Sequence, residues 1–289
     1  MSLIDIIDIL TLLSIDRIGR KSIYNIFQEY KKERLLFNEL KEILTSKLSN
    51  IDYKEFKNTY EKSKKIVDDA QKSNIHIISF KDSNFPIALK SIPDPPLLLF
   101  IKGNYDFIKN KEECIAVVGT RNPTYYGKKI SRKIGKYLAS NNIGVISGLA
   151  LGCDTNAHIG CLEGKGRTAA ILAHGLNMIY PYKNKRLAEE IIYNGGCIIS
   201  EYPPHQKPKN YTFIERNRLQ SGLSKGIIVI ETGENGGTMH TIKFAIKQDR
   251  KIACIKSSFL KGNEIILKNK KVTPIENYSD INYFINNNM

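Results

Sequence analysis

Residues Cys114-Ile115-Ala116-Val117-Val118-Gly119-Thr120-Arg121 decide the fold. A short, wholly apolar run stops at a glycine turn, and helix-forming sequence follows from Lys128 to Ser140. Such a run reads as a strand buried on both faces, the kind found in parallel sheets. The unit repeats along the chain. Predicted strands are Cys114–Val118, Gly144–Ser147, Thr168–Leu172, Cys197–Ser200, Gly226–Ile230 and Lys251–Ile255. Between them lie helical stretches Lys128–Ser140, Thr155–Glu163, Lys185–Asn194 and Thr238–Gln248. This alternation predicts an α/β fold, a parallel sheet with helices on both faces, spanning residues 111–289. In such sheets ligands bind at the carboxyl ends of the strands.

Upstream the pattern differs. Residues 1–70 read as a small helical domain: Leu3, Ile6, Ile7 and Leu10 recur at helical spacing. A Gly-containing loop, Ile15-Asp16-Arg17-Ile18-Gly19, leads into a second helix from Ser22, and Glu33 to Gln71 is charged and helix-forming. Residues 71–110 form a lead-in with two short strands, His76–Phe80 and Leu97–Ile101, expected to pack on the edge of the next domain. Pro86, Pro93, Pro95 and Pro96 give it an extended path with no helix.

Composition narrows the function. The 289 residues carry 44 Lys and Arg against 29 Asp and Glu, a net charge of +15. Residues 1–110 hold 18 basic and 15 acidic groups, and residues 111–289 hold 26 and 14. The excess therefore sits in the α/β region, where it attracts polyanions. No apolar run approaches the roughly 20 residues a membrane span needs, and no basic segment precedes Leu3 to Leu13 as in a signal peptide. Five widely spaced cysteines without a C-x-x-C pair fit a reducing, cytoplasmic compartment. Cys153, His158 and Cys161 lack a fourth ligand and a recognised metal spacing, so no metal and no cofactor are expected.

Candidate binding residues cluster in the loops after the strands. Gly119-Thr120-Arg121 is not a dinucleotide fingerprint. A Gly-Thr turn opening a helix still offers backbone N–H groups to a phosphate, and Arg121 adds a fork-shaped cation. In Ser147-Gly148-Leu149-Ala150-Leu151-Gly152, small residues permit close backbone approach. Asp154 and His158, four apart on a helix, either pair as a catalytic dyad or share a structural hydrogen bond. Lys207, Lys209, Arg216 and Arg218 interleave with Tyr211, Phe213 and Asn217, a mixture suited to single strands, whose phosphates meet cations while a base stacks on a ring. The competing reading puts Phe213 in the core and pairs Arg216 with an acid such as Glu201. Gly236-Gly237-Thr238, following Glu231, forms another anion-binding turn.

In order and spacing these residues resemble the DprA/Smf family of DNA-processing proteins. The shared pieces are Asn84-Phe85-Pro86, Asp94-Pro95-Pro96, Gly119-Thr120-Arg121 with Tyr126-Gly127, and Ser147 through Asp154 with His158. Tyr180-Pro181, Ser200-Glu201 and Phe213 with Arg216-Asn217-Arg218 complete the set. The resemblance implies a SAM-like N-terminal domain and an extended Rossmann-like domain that binds single-stranded DNA without strict sequence preference. It implies no enzymatic activity, a homodimer, and loading of the RecA recombinase, typically in natural transformation. Arg121 would hold phosphate, Phe213 would stack on a base, and Arg216, Asn217 and Arg218 would shape the same pocket. Lys207 and Lys209 stand nearest the place where relatives carry a lysine. Asp154, His158, Glu201 and Glu231 would support the pocket. No C-terminal winged helix is expected.

A second class stays open. Asn235-Gly236-Gly237-Thr238 partly resembles the loop of phosphoribohydrolases of the lysine-decarboxylase-like fold, which would make the chain a nucleotide sensor or hydrolase. The catalytic glutamate of that loop would fall at Thr241, and Glu231 is the only nearby acid able to replace it.

Overall fold

The computed structural model describes residues 3–15, 18–29, 53–109, 114–257 and 260–286. Asp16 and Arg17 of the first loop, and residues 33–52 of the predicted charged helical stretch, lie outside them.

The helices α1 (Leu3–Leu13), α2 (Arg20–Glu29) and α3 (Tyr53–Lys72) come first. Then follow β1 (His76–Ser79), α4 (Ile87–Lys90), β2 (Leu98–Gly103), α5 (Asp106–Lys109) and β3 (Cys114–Val118). Next come α6 (Tyr125–Ser140), β4 (Gly144–Ser147), α7 (Cys153–Glu163), β5 (Thr168–Ile171), α8 (Lys185–Tyr193) and β6 (Cys197–Ser200). The chain ends with α9 (Asn210–Gly222), β7 (Gly226–Val229), α10 (Thr238–Lys247), β8 (Lys251–Ile255), α11 (Lys261–Leu267), β9 (Val272–Ile275) and α12 (Tyr278–Asn286).

All nine described strands form one sheet in the order β1-β2-β6-β5-β4-β3-β7-β8-β9. From β6 to β9 every neighbouring pair is parallel. Chain order runs outward from β3 on one side, then crosses to β7 on the other. Side chains of β3 alternate between two cores: Ile115 and Val117 face α6 and α7, while Ala116 and Val118 face the opposite layer. Burial on both faces is why these strands lack polar alternation.

The lead-in contributes to the sheet itself. β1 and β2 pair antiparallel, and β2 pairs antiparallel with β6, Phe100 opposite Ser200. The N-terminal helices bury Ile9, Leu12, Ile23 and Phe27 in the same core as Leu97 to Ile101. The expected absence of helix among the prolines is corrected by α4, a single turn that starts directly after Pro86. Proline is tolerated there because its missing N–H falls where a helix has no internal acceptor. All five cysteines are buried, in β3, α7, β6 and β8, and none is in a disulfide. No described helix is long and apolar enough to cross a membrane.

Candidate nucleic-acid interface

The loops at the carboxyl ends of β3 to β7 bring Arg121 and Phe213 together. Arg121, exposed in the β3–α6 loop, holds its guanidinium 5.1 Å from the centroid of the Phe213 ring. Phe213, half-buried in the first turn of α9, lies 5.9 Å from the exposed Tyr180 ring, tilted 57° to it. Tyr180 is held in turn by His174, whose Nε2 accepts from the Tyr180 N–H at 3.3 Å while Nδ1 lies 2.9 Å from the Gly175 carbonyl. A cation and two rings thus form one platform. Arg121 has no carboxylate partner among the described residues. Lys207 and Lys209 are exposed in the segment leading into α9, and Lys209 Nζ lies 5.7 Å from the exposed Tyr211 ring. Tyr125, the first residue of α6, and Tyr182, in the connection between β5 and α8, are also exposed.

Beneath the platform lies a buried polar scaffold. Arg216 donates to the carbonyls of Gly148 (2.8 Å) and Ile171, and its Nε donates to Asn217 Oδ1 at 3.2 Å. Burial pushes its pKa down to about 10, with Asp154 opposing the shift. Asn217 donates to the Gly237 carbonyl, linking α9 to the turn that carries Gly236 and Thr238. A Cβ at Gly148 would sit 2.4 Å from the Arg216 guanidinium, so only glycine leaves room for this hub. Asp154 accepts from the N–H groups of Gly148 and Ala150 and fixes the loop; burial holds its carboxyl above the usual range despite Arg216. Ser147 is buried and donates to the Val117 carbonyl at 2.7 Å.

Four sequence-based readings change. Arg218 does not shape the pocket: its side chain is 2% exposed and forks onto Glu201, itself 6% exposed, while Nε donates to Asp94 at 3.0 Å. Arg216 is likewise buried and serves the scaffold. Glu201 pairs with Arg218, not Arg216. Asp154 and His158 do not pair either, since His158 Nδ1 lies 2.7 Å from Thr168 Oγ1. That hydroxyl already donates to the Val145 carbonyl, so Nδ1 carries the imidazole proton.

Burial, reinforced by Arg216, pushes the His158 pKa down to about 3. In the unfolded chain the imidazole takes up its proton near its ordinary pKa of about 6.5. His158 therefore costs no stability above that pH and an increasing amount as pH falls from there toward 3. Urea unfolding from pH 6.5 to 4 is expected to show a shallower acid slope for His158→Gln than for the parent; equal slopes would refute this. At Gly152, φ is +87° and a Cβ would meet the Thr120 and Arg121 carbonyl oxygens at 2.5 Å. Gly152→Ala is expected to lower the unfolding free energy by about 1–3 kcal/mol and to disturb the Arg121 loop. Denaturation beside a binding titration checks both.

The crevice between β3 and β7, where the order of strands reverses, is occupied. Glu231 is buried there, accepting from Thr124 N (2.8 Å) and Oγ1 (2.5 Å), and its carbonyl accepts from Thr120 N at 2.7 Å. It holds Thr124, the N-cap of α6, through both the backbone N–H and the hydroxyl of that residue. Thr241 is buried. No group of three His, Cys, Asp or Glu able to hold a metal occurs among the described residues.

Residues 76–286 match the family model described as DNA recombination-mediator protein A. The chain belongs to that family. Among curated proteins, the DNA processing protein DprA of Bacillus subtilis is 36% identical over 204 residues, 71% of this chain and 68% of that protein. The first curated relatives are matched over 48% to 68% of their own length. The X-ray structure of DNA processing protein A from Streptococcus pneumoniae superposes with a TM-score of 0.78 at 30% identity, covering 96% of each chain. A Helicobacter pylori homologue, described for its unique single-stranded DNA binding mode, superposes with a TM-score of 0.66 at 28% identity, over 74% of this chain and 96% of that one. The resemblance read from the sequence motifs and the Rossmann-like α/β fold are both confirmed. Sequence reasoning missed Tyr180 as the neighbour of Phe213; its place in the loop that follows β5, on the edge where ligands bind, was the available signal.

Proposed function

We propose that the chain binds single-stranded DNA at the Arg121–Phe213 platform without reading its sequence. The observation that carries this is the exposed guanidinium of Arg121, with no carboxylate partner among the described residues, over the Phe213 ring that adjoins Tyr180. Arg121 swings to a phosphate, Phe213 stacks on a base, and Lys207 and Lys209 meet the flanking phosphates. The turns at Gly119-Thr120 and Gly236-Gly237-Thr238, with Ala150 and Gly152, bring backbone close to the strand. The homologue described for single-stranded DNA binding supports the reading. The engagement of Glu231 by Thr124 favours a non-catalytic mediator over a hydrolase. As such a mediator the chain acts in the cytoplasm, pairs with a second copy and delivers the strand to a RecA recombinase.

Fluorescence anisotropy with labelled oligo-dT at two salt concentrations tests the core of this. Tight, salt-sensitive binding that duplex DNA and free nucleotides compete poorly is expected. Binding of a free nucleotide with none of oligo-dT would overturn the reading.

A further inference from the structure

On the other side of α6 lies a cleft of about 470 Å³ that the platform does not use. It opens at the carboxyl ends of β8 and β9, on the sheet edge that also carries the platform. Its floor is Ile134, Ile255 and Ile275, all buried. Tyr126 and Tyr278 stand at its mouth, each about half exposed. Tyr278 is already held in place: its ring stacks on Tyr137 with centroids 4.5 Å apart, and the Tyr137 hydroxyl donates to Asn282 Oδ1 at 2.6 Å. A ring held this way loses little freedom when a ligand arrives.

The rim is cationic. Lys133 is exposed and has no ion-pair partner among the described residues. Lys256 pairs with Glu276 at 2.7 Å, but both side chains are more than half exposed, so a phosphate can take the place of that carboxylate at little cost. An apolar floor, two rings and a cationic rim, in a volume typical of small-ligand sites, match a base with its phosphate. Continuity points to the same strand. Tyr126 and Lys133 lie seven residues apart on one face of α6, and the loop opening that helix carries Arg121.

We propose that this cleft is a second seat for the same single strand, taking a base between Tyr126 and Tyr278 and a phosphate on Lys133. The proposal rests on the reading of the platform as a single-strand site. It has the bound strand run from Phe213 past the start of α6 and down toward α12.

The test uses the full chain and oligo-dT of roughly 6 and roughly 20 nucleotides, lengths that bracket much of the known range of single-strand site sizes. Tyr126→Ala and Lys133→Glu change exposed side chains, so both variants are expected to fold. Tyr126→Ala should weaken the long oligonucleotide about five-fold, the low end for one stacked base, Lys133→Glu should weaken it most at low salt, and both should leave the short one within about two-fold. Oligo-dT carrying 5-iodouracil should crosslink to Tyr126 or Tyr278 at the long length only. Unchanged affinity for the long oligonucleotide, or equal loss at both lengths, would overturn the second seat. So would a variant that only turns a dimer into a monomer by light scattering, which would make the occupant a second copy of the chain. If the parent binds neither length, the platform reading fails as well. Binding that Phe213→Ala weakens but Tyr126→Ala does not overturns the cleft alone.

Discussion

Phe213→Ala is expected to weaken oligo-dT binding about 5- to 150-fold, the loss that accompanies one stacked base worth roughly 1–3 kcal/mol. The ring is half-buried at the start of α9, so its removal takes away the platform between Arg121 and Tyr180 and leaves the core in place. Arg121→Ala should also weaken binding, by a different route. A phosphate contact releases a counterion, so its loss should flatten the plot of log affinity against log salt by about 0.7 for a single strand. Phe213→Ala should leave that slope unchanged. Anisotropy titrations at several salt concentrations separate the two. Parental affinity in both variants would remove the platform from the site, and equal slope changes would show that the two residues do not divide the work as described.

The largest stability change is expected at Glu201. Its carboxylate accepts two hydrogen bonds from Arg218, at 3.0 and 2.6 Å, where neither side chain has appreciable contact with water. Glu201→Ala leaves a buried guanidinium with the half-exposed Asp94 as its one remaining counter-charge among the described residues, and should cost about 3–5 kcal/mol in urea unfolding. Replacing both partners with apolar residues of similar size should recover much of the loss, because it removes the uncompensated charge. A loss below about 1 kcal/mol for Glu201→Ala would class the pair with surface ion pairs and refute the argument. Arg20 of α2 joins the cluster through Asp94, at 2.8 Å, and so ties the N-terminal helices to the helix that carries Phe213.

The central strands were legible because a strand covered on both faces must be apolar throughout. β9 was not, because Pro274 argues against a strand; it is tolerated since β9 is the outermost strand of the sheet. Helix α9 was hidden for a related reason. Arg216, Asn217, Arg218, Gln220 and Ser221 are all buried, so the helix shows no apolar stripe. Their burial is possible only because carbonyls and carboxylates from other elements meet them, and those partners are distant in the chain. The same distance explains the site. Arg121 and Phe213 carry their chemistry in their side chains and could be named in advance. A guanidinium that faces carboxylate reads in sequence like one that faces phosphate, so the sequence alone groups Arg218 with the binding residues. It lies two residues from Arg216, about 200° around the helix, and turns toward Glu201 instead.

The five buried thiols give the molecule a reporter of its own opening. Cys114, Cys197 and Cys254 sit in three different strands, and Cys153 and Cys161 in the helix behind the Gly152 loop. An alkylating reagent reaches each sulfur only when the surrounding structure parts, so the labelling order of the five ranks how readily each region opens. A dye placed on a newly introduced surface cysteine would, for the same reason, attach there first.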